Sequence, residues 1–167
     1  MNRLIHYSSE KINVLEKREY DQNLATFQHK PKGLWISIEG EDDWKNWCIA
    51  EKFELQCLTF CYEIILKEDA NILYLKTAEE IFDFTKKYSL IQMISYLQYD
   101  TDQIDWLKVK QDYQGIIISP YQWVCRLSSK STWYYGWDCA SGCIWDLEAI
   151  KEFKFLEETK LEASHDS

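Results

Sequence analysis

Apolar and polar positions change period several times along the chain, and each change marks an element. "RLIHYS" (3–8) alternates over a short stretch and is ended by polar "SSEK", which predicts a strand. Residues 9–32 are polar, lack a regular period and finish in "HKPKG", a loop signal carried by Pro31 and Gly33. "GLWIS" (33–37) then reads as a second strand. In "DDWKNWCIAEKF" (42–53), Trp44, Trp47, Cys48 and Phe53 fall near helical spacing, with Asp42 or Asp43 placed to cap the helix. "LTFCYEIIL" (58–66) and "NILYLK" (71–76) are β-branched and aromatic; the intervening "KEDA" makes them a hairpin or a sheet return.

"TAEEIFDFTKKY" (77–88) carries the clearest local signature in the chain. Thr77 precedes an amphipathic run, Glu80 stands at the capping-box position, and Ile81 and Phe84 share the inward face. Residues 90–98 and "DQIDWLKVKQDY" (102–113) predict two further helices. "GIIISPYQWVCRL" (115–127) returns to strand, interrupted by Pro120, and "SSKST" (128–132) is a polar loop. "GWDCASGCIWDLEAI" (136–150) supplies the last strands, with Cys143 and Trp145 expected on one side and Ile144 on the other. A turn, a short helix and a frayed end are expected beyond it. Strands and helices do not alternate strictly, and no Gly-rich strand-to-helix turn is present, which argues against a Rossmann or P-loop reading. The expectation is an α+β fold: one domain over 1–155 with a mainly antiparallel sheet, and a polar tail over 156–167.

Composition narrows the class. The 167 residues are 46% hydrophobic and 16% aromatic, enough for one packed core. No apolar run approaches the roughly 18 residues of a membrane span, and the N-terminus lacks the apolar core of a secretory signal. A cytoplasmic protein, or one exported without a standard signal peptide, is expected. The net charge of −9 disfavours nucleic acid and anionic membranes as partners. The six cysteines read as reduced core thiols, since neither C-x3-C pair (Cys57/Cys61 and Cys139/Cys143) has zinc-knuckle spacing or a histidine nearby. A G-x-S-x-G elbow and an H-E-x-x-H helix are both missing, which leaves nucleophilic and metal-dependent hydrolysis without support.

Three pieces, in order, carry a family resemblance. "LIHYSS" places a histidine on the first strand, followed by Ser; "KPKGLWIS" gives a G-L-W-x-S second core strand; "GCIWDLEAI" forms an apolar terminal strand ending in Asp. The chain thereby resembles the ADP-ribosyltransferase fold, in its diphtheria-toxin and poly(ADP-ribose) polymerase branch, and "YQGIIIS" is similar to that branch's penultimate strand. The resemblance implies a split sheet flanked by helices, NAD as substrate, and transfer of ADP-ribose to a macromolecule, a protein by preference.

Residue by residue, the resemblance implies that His6 bonds a ribose hydroxyl and that the backbone of Tyr7 pairs with the nicotinamide amide. Ser8 supports that strand, Trp35 stacks on the nicotinamide, and Ser37 lies near its carboxamide. The family's catalytic glutamate aligns with Ser141; the nearest acid is Asp138, three residues earlier. His6, Asp138 and Ser141 are therefore the candidate catalytic residues. Two readings follow: a mono-ADP-ribosyltransferase of toxin or effector type, and a non-enzymatic binding module on the same fold.

Overall fold

The computed structural model describes residues 2–22, 30–91 and 99–160. Nine strands and four helices are assigned among them. The first strands are β1 (Leu4–Ser8), β2 (Leu34–Ile38), β3 (Phe60–Leu66) and β4 (Ile72–Leu75). They are followed by β5 (Ser89–Ile91), β6 (Tyr99–Ile104), β7 (Gly115–Ile118), β8 (Ser141–Ile144) and β9 (Ile150–Glu158). The helices are α1 (Trp44–Glu51), α2 (Ala78–Tyr88), α3 (Trp106–Asp112) and α4 (Trp123–Arg126). None of these helices is long and apolar enough to cross a membrane.

Seven strands form one sheet in the order β4-β7-β8-β2-β1-β3-β9, and β5 pairs with β6 separately. Only β4 and β7 run parallel, so the sheet is mainly antiparallel, as the element order predicted. The hydrogen-bonded order is continuous through all seven strands. The seam between β2 and β1 is nevertheless short. It holds two register pairs, Leu4↔Ile38 and Ile5↔Ser37, against five between β1 and β3 and four between β2 and β8. At the closed end of the seam, Glu39 N–H donates to Arg3 O (3.0 Å) and the Arg3 guanidinium grips the Glu39 carboxylate from Nε and Nη2.

Local chemistry accounts for the element ends. The Asp43 side chain accepts from Asn46 N–H (2.8 Å) and starts α1; Lys52, in the left-handed region (φ 53°), ends it. On α2, Thr77 Oγ1 accepts from Glu80 N–H while the Glu80 carboxylate accepts from Thr77 N–H, completing the capping box. Ile81 and Phe84 are buried beneath it. Gly142 is required where β8 crosses the sheet centre: a Cβ there would lie 2.6 Å from Ile116 O and 2.8 Å from Ile117 Cγ1.

Several elements depart from the sequence pattern. β3 and β4 lie far apart in the sheet, so "KEDA" makes a sheet return rather than a hairpin. The helix expected over 90–98 begins as strand β5, and its remainder lies outside the described residues. The next helix starts later than expected: β6 runs to Ile104, and Asp105 caps α3 by accepting from Lys108 N–H. After Pro120 the chain turns into short α4 instead of resuming a strand. Residues 150–158, where the sequence pattern predicts a turn and a short helix, form β9 instead, paired with β3 along its length. The sheet accordingly extends beyond the expected boundary at 155.

A run of ring contacts organises the core. Trp145 meets Trp106 (6.4 Å between centroids), Trp106 meets Trp133 (5.9 Å), Trp133 meets Trp137 (5.9 Å), and Trp137 meets Trp35 (5.0 Å). Phe84 of α2 packs on both Trp106 and Trp133. Aromatic pairs of this kind add roughly 0.5–1.5 kcal/mol each beyond the area they bury. The series leads from the core under α2 and α3 outward to Trp35 on β2, at the seam.

Candidate functional site

Where β1 and β2 part, they leave a cleft of about 270 Å³. Strand alternation fixes what faces it. Ser37 opposes both Ile5 on β1 and Ser141 on β8, so these three side chains share one face; Tyr7 and Trp35, two residues along their strands, share it too. All five line the cleft, together with Lys30, Trp44, Trp137, Asp138 and Cys139. The sequence-predicted residues His6, Tyr7, Trp35, Ser37, Asp138 and Ser141 are thus brought to one cavity.

The walls are aromatic. Trp35 stands edge-to-face with Trp137, and Trp44 stacks on Trp47 at 5.0 Å with an interplanar angle of 14°. Lys30 Nζ lies 5.5 Å from the Trp35 ring centroid. Ser37 couples cleft to scaffold. It is 4% exposed, and its Oγ accepts the Trp44 N–H at 2.9 Å, which holds the start of α1 against β2. That bond uses an oxygen lone pair and leaves the hydroxyl hydrogen free to donate.

His6 reaches the cleft from the opposite face of the sheet. Its register partner is Tyr62, and its ring lies 6.4 Å from Tyr62 and 6.2 Å from Phe153, on the face opposite Trp35 and Ser37. It reaches the cleft through the seam. With the ladder to β2 ended, His6 Nδ1 sits 2.7 Å from Trp35 O and replaces the missing backbone pair. Burial holds the imidazole below its ordinary pKa, against the opposing effect of the Trp35 carbonyl. The neutral ring donates from Nδ1, which makes Nε2 its lone-pair nitrogen. Ser8 stays out of the cleft: its hydroxyl donates to Glu10 O (2.7 Å) and accepts from Glu10 N–H (3.1 Å), closing the end of β1.

Polar groups at the cleft mouth are tied into the scaffold. Ser141 is buried, and its hydroxyl donates to Cys139 O at 3.1 Å. Asp138 Oδ1 accepts from Arg126 Nη1 at 3.3 Å; the same Nη1 donates to Tyr121 Oη at 2.9 Å, and Tyr121 O–H donates to Trp137 O at 2.6 Å. Arg126 thereby braces Asp138. Burial pushes the Tyr7 phenol well above its usual range, so it stays protonated, and pushes the Cys139 thiol up to about 12, which makes it a poor nucleophile.

Lys30 and Trp44 are among the wall residues to which the sequence assigned no site role. Trp44 was legible as the first residue of a capped helix seven positions after Ser37; Lys30 sat unremarked inside the loop signal before β2. Comparison of the chain with protein-family models, with curated proteins and with solved structures finds no match.

Proposed function

We propose that the cleft between β1 and β2 binds the nicotinamide end of NAD, and that the protein is a mono-ADP-ribosyltransferase acting on a macromolecular, preferably protein, acceptor. One observation carries this reading. Six residues that the family resemblance singled out, from three separated stretches of sequence, line a single aromatic cavity. Its volume of about 270 Å³ suits one planar ring with a carboxamide rather than a whole dinucleotide.

Each wall residue then has a task. Trp35 and Trp137 offer ring surface to the pyridinium, and the spare hydrogen of Ser37 suits the carboxamide oxygen. The lone pair of His6 Nε2 suits a ribose hydroxyl. Breaking the nicotinamide–ribose bond develops positive charge on the sugar, and a carboxylate fixed in advance stabilises such charge without reorganising. Asp138, braced by Arg126, is the acid at the mouth able to serve.

A second reading is a non-catalytic NAD-binding or protein-binding module on the same fold. It is favoured by Ser141 at the position of the family's glutamate and by the commitment of Asp138 to Arg126. Incubation of a cell lysate with labelled NAD, followed by mass spectrometry, tests the choice. Asp138-dependent labelling of macromolecules supports transfer; NAD binding without labelling leaves the module.

A further inference from the structure

The two edges of the seven-stranded sheet differ. β4 closes one side with four residues, whereas β9 closes the other with nine and contains neither Pro nor Gly. Among the described residues, no hydrogen bond outside the ladder with β3 reaches residues 151–158. None of their charged side chains enters an ion pair there either. A long edge turns a row of backbone N–H and C=O groups outward, where another strand can pair with them. Lys and Glu on such an edge repel most strands, so their order decides which strand fits.

The order in β9 fits β9 itself. Irregularities against β3 fall between Cys61 and Tyr62 and between Ile65 and Leu66, which leaves 152–155 as the regular stretch. Ile5 pairs with Glu63, and Glu63 with Lys154, so Glu152 and Lys154 share the face of the cleft. Phe153 and Phe155 take the opposite face, with Tyr62. Two copies joined edge to edge about a two-fold axis normal to the sheet keep these faces, and directly opposite residues of an antiparallel pair share a face. Only registers that set a residue against its own copy meet both conditions. Centring on Glu152 or on Lys154 opposes like charges, and centring on Phe155 sets Glu152 against Glu158. Centring on Phe153 instead sets Glu152 against Lys154 twice, once on each side of the axis, and brings Lys151 to the 47%-exposed ring of Phe155.

We infer that β9 is a self-association edge: a second copy of this chain adds antiparallel across it, centred on Phe153, and joins the two sheets into one. The inference is independent of the nicotinamide reading. β3 separates the edge from the β1–β2 cleft, and the axis leaves both clefts on the same face.

Analytical ultracentrifugation of the full chain at low salt, from micromolar to submillimolar concentration, tests it. The parent should show a monomer–dimer equilibrium. Glu152→Lys and Lys154→Glu should each weaken the dimer about tenfold or more, because two attractive cross-strand pairs become repulsive. Circular dichroism melts control for folding; Glu152 lies opposite Ile65, so Glu152→Lys leaves the Glu63–Lys154 pairing within the chain untouched. Mixing the two single variants should restore association, since one copy then offers two lysines and the other two glutamates. The double exchange Glu152→Lys/Lys154→Glu should dimerise alone, as the parent does. A parent that stays monomeric at submillimolar concentration, a dimer indifferent to Glu152→Lys, or folded single variants that do not associate with each other overturns the inference.

Discussion

Ser37→Ala removes one oxygen from a position where scaffold and cleft meet. In the parent, that oxygen accepts the Trp44 N–H at 2.9 Å in a site 4% exposed. The variant leaves a backbone donor without its partner. A buried donor left unsatisfied costs about 1–3 kcal/mol. Trp44 itself is half-buried, and the Asp43 cap still accepts Asn46 N–H, so the lower half of that range applies. A loss of about 1–1.5 kcal/mol corresponds to a Tm lower by roughly 2–6 °C for a domain of this size. Urea denaturation followed by circular dichroism should show a lower midpoint at unchanged m. The same substitution frees the Trp44 wall and deletes the donor assigned to the carboxamide. Nicotinamide affinity should therefore fall about 5- to 30-fold, where tenfold is about 1.4 kcal/mol. Stability within about 0.3 kcal/mol of the parent would refute the anchoring role of Ser37. Unchanged affinity in the folded variant would refute its contact with the ligand.

Other consequences can be checked with purified protein. Asp138→Asn should lower turnover about 100-fold or more while leaving NAD affinity nearly intact, the signature of losing one electrostatic stabiliser; parent-like turnover by single-turnover kinetics would remove Asp138 from the chemistry. Thr85→Val should destabilise by about 1–3 kcal/mol in urea denaturation, because it strands the buried Trp133 Nε1–H that donates to Thr85 Oγ1 at 2.8 Å. The folded-state pKa of His6 lies below its unfolded value of 6.5, so the unfolded chain takes up the proton first. The His6 contribution is fully present above about pH 6.5 and is lost as pH falls toward the folded pKa; His6→Gln should flatten that part of the stability–pH curve. Brief alkylation at pH 8 should label Cys57, the half-exposed thiol, before the buried Cys48 and Cys139, whose pKa values burial pushes up to about 12.

Parts of this architecture are legible in the sequence. The α2 boundary is written in a local code, Thr77 and Glu80 closing on each other's backbone, and local codes survive whatever packs around them. The β-branched runs at Ile64, Ile117 and Ile144 became strands because both faces of the central sheet are covered. β9 was misread for a physical reason. Its half-buried residues, Ile150, Phe153 and Leu156, recur every three positions, because two register irregularities against β3 break the usual alternation. A spacing of three in a Lys/Glu-rich stretch imitates a helix, and pairing with β3 overrides that preference.

The candidate site divides in the same way. Trp35 and Ser37 are two residues apart on one strand, so their common face follows from alternation alone. His6 flanks Tyr7 and must point the other way. Only the early end of the β1–β2 ladder, which sequence does not encode locally, lets its ring reach Trp35 O from behind. The brace of Arg126 on Asp138 was equally hidden, since it depends on α4 folding back after Pro120.

The central claim is that the cleft at the β1–β2 seam takes the nicotinamide end of NAD. Calorimetric titration of the parent with NAD, repeated in the presence of saturating nicotinamide, addresses it most directly. The account predicts one NAD per chain, competed by nicotinamide, with affinity falling roughly tenfold or more when Trp35→Ala removes the ring that faces Trp137. The absence of NAD binding by the folded parent at millimolar concentration, or binding indifferent to both nicotinamide and Trp35→Ala, would contradict it.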